Sequence, residues 1–246
     1  MMATQPQPIP AAQAAQMAQA VAHIRQTMAA AAREAGRSPD EIRLCAACKT
    51  RTVAEVMASA ALDIDLFGEN HVQELVEKTG AGAYCGKPGH VIGHLQTNKV
   101  NKVVGRAALI QSVDSVRLLD KIDAAAAAQG ITQEILFEIN IGAEDSKTGV
   151  SPQDLWPLLD AAAARANVRV RGLMAIPPAG AGEADTRAFF AAMRELLGRV
   201  QARQIPNARP DILSMGMSGD YAAAIREGAT IVRIGTAIYG ARDYSK

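Results

Sequence analysis

The sequence predicts an α/β fold, a single (β/α)8 barrel of the TIM type with one extra helix at its N-terminus. From residue 41 onward, eight short apolar runs alternate with segments of helical pattern, the order expected of a parallel sheet covered by helices. Eight strands also suffice to close a barrel, and a length of 246 residues is typical of this architecture. An open, doubly wound sheet stays the alternative, because alternation alone does not separate the two.

The first predicted element is a helix over residues 11–35. Its alanine-rich sequence is interrupted by glutamine, histidine and arginine, so it cannot span a membrane, and we expect it on the outside of the barrel. Residues 1–10 carry neither the positive charge nor the apolar block of a secretory signal. We expect residues 1–10 to be disordered and residues 11–246 to form the barrel domain.

The predicted strands and helices then alternate along the chain. The strands are predicted at 42–48, 64–67, 90–93, 109–112, 134–141, 169–176, 212–215 and 231–234. Helices are predicted near 52–61, 69–79, 97–105, 115–129, 151–165, 184–203 and 218–227. The segment richest in proline and glycine, 177–182, falls where a strand-to-helix loop belongs, so no linker between domains is evident.

Charge and cysteine content exclude several classes of protein. The chain has 26 Lys+Arg against 25 Asp+Glu, a balance that predicts no nucleic-acid partner and no anionic membrane surface. Three cysteines are too few for a disulfide scaffold, and their odd number favours a reducing compartment, the cytoplasm. We therefore expect a small-molecule partner.

Lys49 is the first candidate for chemistry, because it follows the first predicted strand. In barrels of this type the C-terminal ends of the strands face the active site. The residues before Lys49 are small or apolar, and such surroundings disfavour a charged ammonium and leave a free amine that attacks aldehydes. A solvated lysine at a strand edge is the alternative interpretation.

Two spaced pairs could suggest a redox or metal site, and both are better explained without one. Cys45 and Cys48 fall inside the first predicted strand, whose alternation points them to opposite faces and predicts core packing. His90 and His94 would lie about 13 Å apart along a strand, too far for one zinc ion. We predict no metal, and expect His94 to be a polar group at a strand end.

The loops after the seventh and eighth predicted strands have the composition of a phosphate site. Residues 213–220 and 233–240 supply glycines together with the hydroxyls of Ser214, Ser218 and Thr236. Barrels often bind phosphate at these two loops, where backbone N–H groups face an anion. Two ordinary turns, with Ser218 as a helix cap, are the alternative.

A lysine facing a phosphate cradle suits a phosphorylated aldehyde as ligand. The phosphate would dock while the aldehyde condenses with Lys49. Arg233, on the eighth strand, could approach a ring nitrogen and keep it unprotonated, because arginine stays charged. That would weaken the electron sink that carbanion chemistry needs.

Several long stretches make the sequence resemble the pyridoxal phosphate homeostasis protein family, related in fold to the barrel of alanine racemases. They are Cys48-Lys-Thr, Phe67-Gly-Glu-Asn-His-Val-Gln-Glu-Leu, Ile92-Gly-His-Leu-Gln-Thr-Asn-Lys, Ser112-Val-Asp-Ser, Glu144-Asp-Ser-Lys-Thr-Gly, Gly172-Leu-Met-Ala-Ile-Pro, Leu213-Ser-Met-Gly-Met-Ser and Val232-Arg-Ile-Gly-Thr-Ala-Ile-Tyr-Gly. Together these stretches are spread over residues 44 to 244, nearly the whole chain.

The resemblance implies a fold-type III barrel that binds pyridoxal 5′-phosphate (PLP), with Lys49 as the Schiff-base lysine. It implies storage and delivery of this vitamin B6 cofactor, with apo PLP-dependent enzymes as further partners, a monomeric state and no established catalytic residue. The implied cofactor-binding residues are Lys49, Asn70, His94, Ser214, Ser218, Arg233, Gly235 and Thr236. Lys147 matches a lysine with a secondary part in cofactor transfer.

Two rival functions stay open. A compact fold-type III enzyme, such as an amino-acid racemase, is the first, although such racemases carry a second domain with a catalytic tyrosine and only six residues follow Gly240. A barrel for an unrelated sugar phosphate is the second, and it leaves Lys49 unexplained.

Overall fold

Eight parallel strands close into a barrel in the order β1 to β8 in the computed structural model, which describes residues 7–144, 148–178 and 180–241. The strands are β1 Arg43–Ala47, β2 Leu66–Glu69, β3 Gly89–Val91, β4 Leu109–Val113, β5 Gln133–Ile139, β6 Val168–Ala175, β7 Ala208–Ser214 and β8 Ile231–Ile234. Pairing of β1 with β8, from Arg43 opposite Ile231 to Ala46 opposite Ile234, completes the ring. The predicted barrel is confirmed, and the open sheet is excluded.

Helices occupy the connections between strands. They are α1 Ala11–Glu34, α2 Val53–Ala60, α3 Val72–Gly80, α4 Val100–Val103, α5 Val116–Ala128, α6 Leu155–Ala163, α7 Glu183–Ala202, α8 Tyr221–Arg226 and α9 Thr236–Tyr239, with 3-10 turns at Pro39–Glu41 and Thr97–Lys99. Capping side chains stabilise the N-termini of two of them. Thr52 and Glu55 form a capping box at α2, and the Ser115 hydroxyl accepts the Leu118 N–H at α5.

The extra N-terminal helix α1 lies on the outside of the barrel, as predicted. Its buried stripe includes Met17, Val21, Ile24 and Met28, and it packs against α8, α9 and α2. Residues 1–6 of the predicted disordered segment lie outside the described residues.

One cluster of apolar side chains comes from seven of the barrel strands. It consists of Cys45, Leu66, Leu109, Leu136, Met174, Ile212 and Ile231, all buried. A larger cluster, to which Cys48 belongs, lies between the strands and the helices. The two cysteines therefore pack into different parts of the core and are both free thiols, as the strand alternation predicts.

Two predicted strand ends that bear on the site need correction. β1 ends at Ala47, so Cys48, predicted as the last residue of the strand, lies with Lys49 in the segment that follows it. β3 ends at Val91, and His94 consequently lies in a loop. The strand ladder stops early at both places because the chain turns toward the next helix, which alternation of apolar residues does not reveal.

Candidate cofactor-binding site

A cavity of about 290 Å³ opens at the carboxyl ends of β1, β7 and β8. Its lining residues are Ala47, Lys49, Arg51, Asn70, Ile92, Ile176, Met217, Ser218, Gly219, Arg233, Gly235 and Thr236. Ligand sites of this fold lie at the same end of the barrel, where the strand-to-helix loops meet. The volume is near the lower limit of about 300 Å³ for small-molecule pockets.

Lys49 reaches this cavity from a tight turn. The N–H of Arg51 donates to the carbonyl of Cys48 over 3.1 Å, and Thr50 between them has a φ of 65°. A left-handed conformation is rare for a β-branched residue such as threonine. The turn bends the chain immediately after the strand, and the half-buried lysine side chain lines the cavity.

Arg233 is the buried cation of the cavity. Its Nη1 donates to the Ser214 hydroxyl over 2.6 Å, and its Nη2 donates to the carbonyl of Ala175 over 2.9 Å. Burial lowers the pKa of Arg233 from its usual value. Because arginine begins from so high a pKa, the guanidinium keeps its charge near neutral pH.

A chain of buried hydrogen bonds continues from Arg233 through the barrel. Since arginine can only donate, Ser214 accepts from it and donates its own O–H to Gln111 Oε1 over 2.6 Å. The Gln111 amide then donates to His90 Nδ1 over 2.9 Å. His90 is thereby fixed as a neutral acceptor, and burial lowers its pKa to about 3.

Hydroxyls and backbone from the last two loops form the opposite wall. Thr236 Oγ1 lies 3.2 Å from Ser218 Oγ, and the Ala237 N–H points to the same Ser218 oxygen at 3.4 Å. At Gly235 a Cβ would come within 2.9 Å of the Ala47 carbonyl oxygen, so a glycine is needed where β8 approaches the end of β1. Hydroxyl and backbone N–H groups of this kind are able to donate hydrogen bonds to an anion.

The charge of the lining points to an anionic ligand. Three cations, Lys49, Arg51 and Arg233, face the cavity, and no aspartate or glutamate lines it in the described part of the chain. Such a donor set fits a phosphate group beside a carbonyl carbon within reach of an amine.

The cavity brings together most of the residues that the sequence singled out. Six of the eight predicted cofactor-binding residues line it, namely Lys49, Asn70, Ser218, Arg233, Gly235 and Thr236. Ser214 is buried behind Arg233 and does not line the cavity. His94 is exposed, and its Nδ1 lies 3.5 Å from Asp114 Oδ2. Lys147 lies outside the described residues.

Six other lining residues are not among the predicted cofactor-binding residues, namely Ala47, Arg51, Ile92, Ile176, Met217 and Gly219. Arg51 donates to the carbonyl of Gly240 over 2.8 Å, while Ile92, Ile176 and Met217 supply apolar surface. Ile92, Ile176 and Met217 stand within the quoted stretches, but motif chemistry does not tell which residues of a stretch face the cavity. Only the position of each strand end could have indicated them.

The described residues contain neither a cluster of metal ligands nor a membrane-spanning helix. No three histidine, cysteine, aspartate or glutamate side chains gather as metal ligands within residues 7–144, 148–178 and 180–241. Across the same ranges, every helix is too short or too polar to cross a bilayer.

Comparison with known proteins identifies the family. The family described as the N-terminal domain of alanine racemase matches residues 19–243. A pyridoxal phosphate homeostasis protein of Aquifex aeolicus is 41% identical over 214 residues, covering 87% of this chain and 93% of the relative. One from Pseudomonas aeruginosa is 39% identical over 228 residues, covering 93% and 96%.

A solved relative has the same barrel. The structure of PipY from Synechococcus elongatus, with PLP bound, superposes with a TM-score of 0.79 at 32% identity, covering 91% of this chain and all of that one (100%). Sequence and fold thus agree over nearly the whole length of the proteins compared. The chain belongs to the pyridoxal phosphate homeostasis protein family and has the alanine racemase type of barrel.

Proposed function

We propose that this protein binds PLP in the cavity at the ends of β1, β7 and β8, and holds it for other proteins without turning over a substrate. The observation that carries the proposal is the cavity lining, in which Lys49, Arg51 and Arg233 face a space without a described carboxylate. PLP combines a phosphate dianion with an aldehyde, and this lining matches both groups.

Each part of the lining has a proposed part in holding PLP. Ser218 and Thr236, with the backbone around Gly219 and Gly235, receive the phosphate, and Arg233 faces the pyridine nitrogen. Lys49 would hold PLP by condensation of its amine with the aldehyde, with loss of water, and PLP would supply an electron-withdrawing ring. The solved PipY structure with PLP supports the assignment, because this chain shares its barrel.

The proposed absence of turnover is supported by the residues that surround Lys49. No histidine, tyrosine or carboxylate side chain lines the cavity in the residues that the structure describes. A second acid or base is therefore missing from the lining, and a guanidinium at the ring nitrogen keeps that nitrogen unprotonated. The relatives' name, homeostasis protein, agrees with a carrier.

The proposal also covers the recipients of PLP, the compartment and the oligomeric state. Apo PLP-dependent enzymes are the proposed recipients, and the cytoplasm is the proposed compartment, supported by three free cysteines. A monomer whose barrel domain spans residues 11–246 is the proposed unit.

Reductive trapping tests the covalent link. The purified protein, loaded with PLP and reduced with borohydride, should carry the label on the peptide that contains Lys49. Lys49→Ala should abolish both the visible absorbance and the label while the protein stays folded, and Lys121→Ala, on the exposed face of α5, should change neither. A label found only on Lys99 or Lys147 would refute the assignment.

A further inference from the structure

Lys49 lies beyond the last residue that the barrel itself holds. The final ladder contact of β1 is the Cys48 N–H, which donates to the Gly68 carbonyl over 3.0 Å. After it come Lys49 and then Thr50, in its left-handed conformation. Such a conformation persists only where neighbouring groups hold it.

On the C-terminal side of Lys49, a side chain of α3 stabilises the turn. Glu74 Oε1 accepts the Thr50 N–H over 2.6 Å. A hydrogen bond to an ionised carboxylate is stronger than one to a neutral acceptor. Glu74 is thus suited to stabilise the unusual conformation of Thr50.

On the N-terminal side of Lys49, a second residue of α3 stabilises the turn. Lys78 Nζ donates to the Cys48 carbonyl over 2.7 Å and to Glu69 Oε1 over 2.8 Å. Cys48 Sγ also donates to Glu69 Oε1, over 2.9 Å, and Tyr84 donates to the same oxygen over 3.2 Å. Glu74 and Lys78 are four residues apart, so both lie on one face of α3.

The ion pair of Glu69 and Lys78 is completely enclosed, with side-chain exposures of 0% and 2%. Burying two charges is costly, and pairs of this kind persist when hydrogen bonds surround them. None of the three charged residues lines the cavity. The pair therefore does not face the cavity. Its connection to the cavity is the hydrogen bond from Lys78 to the carbonyl of Cys48, the residue before Lys49.

We propose that Glu69, Glu74 and Lys78 form a clamp that positions Lys49. By holding the peptide groups on both sides of the lysine, the clamp fixes its Cα and directs its four-carbon side chain into the cavity. A pre-positioned amine adds to an aldehyde more readily than one that samples many directions. The inference rests on the proposed function, since it assigns the clamp to the covalent part of PLP binding alone.

Two ligands separate the covalent part from the rest. Pyridoxine 5′-phosphate has the ring and phosphate of PLP but an alcohol in place of the aldehyde, so it cannot bond to Lys49. Dissociation constants for both ligands should be measured on wild type, Glu74→Ala, Glu74→Gln and Glu77→Ala. Glu77 is exposed on the same helix and serves as the matched control.

For Glu74→Ala we expect PLP to bind at least about tenfold more weakly, because a charge-assisted hydrogen bond to the turn is lost. Pyridoxine 5′-phosphate should bind within about twofold of wild type, since the phosphate and ring contacts stay. Glu74→Gln keeps an oxygen acceptor and should restore most of the PLP affinity, and Glu77→Ala should match wild type for both ligands.

Other outcomes would overturn one proposal or the other. Equal weakening of both ligands in Glu74→Ala, or no change in either, would refute the clamp and leave a role in folding only. Failure of wild type to bind PLP more tightly than pyridoxine 5′-phosphate would instead refute the proposed function. Lys78→Met, if it folds, should repeat the result of Glu74→Ala, and if it does not fold the Glu74 variants decide.

Discussion

Ser214 illustrates how a residue can be hydrogen-bonded to the lining of a cavity without lining it. Its place in the Ser-Met-Gly-Met-Ser loop predicted a phosphate contact, yet its hydroxyl joins Arg233 to Gln111 inside the barrel. The position of the motif correctly placed Ser214 at the carboxyl end of β7. It could not indicate which way the side chain points, because β7 ends at Ser214 and the cavity is formed by the loop after it.

The two serines should therefore respond differently to loss of the ligand's phosphate. Ser214→Ala leaves Arg233 with one partner fewer, so we expect PLP and pyridoxal to weaken by the same factor. Ser218→Ala should weaken PLP alone, by up to about 1.5–3 kcal/mol for one charge-assisted hydrogen bond. Titration of both variants with both ligands measures this. If Ser214→Ala weakened the binding of PLP but not of pyridoxal, Ser214 would belong to the phosphate site after all.

His90, at the end of the same hydrogen-bonded chain, should make stability depend on pH. Burial lowers its folded-state pKa to about 3, whereas an unfolded histidine titrates near 6.5. The unfolded state therefore takes up the proton first, so this contribution is complete above about pH 6.5 and is lost as the pH falls toward 3, at up to about 1.4 kcal/mol per pH unit.

Urea unfolding at pH 7, 6 and 5 checks this expectation on wild type and His90→Gln. Glutamine keeps an oxygen to accept the Gln111 amide but does not titrate. The variant should lose less stability than wild type over this range. Identical pH dependence of the two proteins would show that His90 is accessible to protons in the folded state.

At the scale of the elements, alternation and length located every strand of the barrel, but not the irregularities within them. β6 was predicted as a regular strand over 169–176, whereas its pairing shifts register on both sides, near Gly172. Gly172 has a φ of 142°, and a Cβ there would collide with the Ile212 carbonyl. A lone glycine in a strand can mark a bulge, but the sequence alone does not separate this from an ordinary small residue.

Gly172→Ala should consequently be one of the most damaging small substitutions in the chain. We expect a loss of about 2–4 kcal/mol in the free energy of unfolding, from backbone strain together with displacement of β7. Gly198, exposed in the middle of α7 with no atom near its missing Cβ, is the matched control. Gly198→Ala should stabilise the protein by about 0.5–1 kcal/mol. Thermal or urea unfolding compares them, and equal effects of the two would contradict the bulge.

The shortest elements were the least predictable. α9 spans four residues, Thr236–Tyr239, too few for a helical pattern of apolar positions to emerge. The helix predicted near 97–105 is a 3-10 turn followed by the four residues of α4. α9 packs against α1, and α4 packs against α3 and α5, so both short helices have tertiary contacts that the local sequence does not reveal.

The whole molecule should be a poor catalyst when loaded with PLP. General acid–base assistance is typically worth about 10²- to 10⁴-fold, and the described cavity lining offers no such group besides Lys49. We expect α-proton exchange of L-alanine in deuterated water, followed by NMR, to stay well below about 1 s⁻¹. Free PLP at the same concentration is the control. Faster exchange, or racemisation, would favour the compact racemase.

The N-terminal helix α1 joins the two ends of the molecule. Glu34 at its end pairs with Arg226 of α8 over 2.7 Å, and Arg37 just beyond it donates to the carbonyls of Ile225 and Ala229, each over 2.9 Å. These partners are separated by 188 to 192 positions in sequence. During translation α1 leaves the ribosome before α8, whose surface it covers, and α8 is synthesised about 10–40 s later at roughly 5–20 residues per second. A nascent chain can therefore pack α1 against α2 early, but the part of the Met17 to Met28 stripe that α8 and α9 cover lacks its partners until the end of the barrel is made.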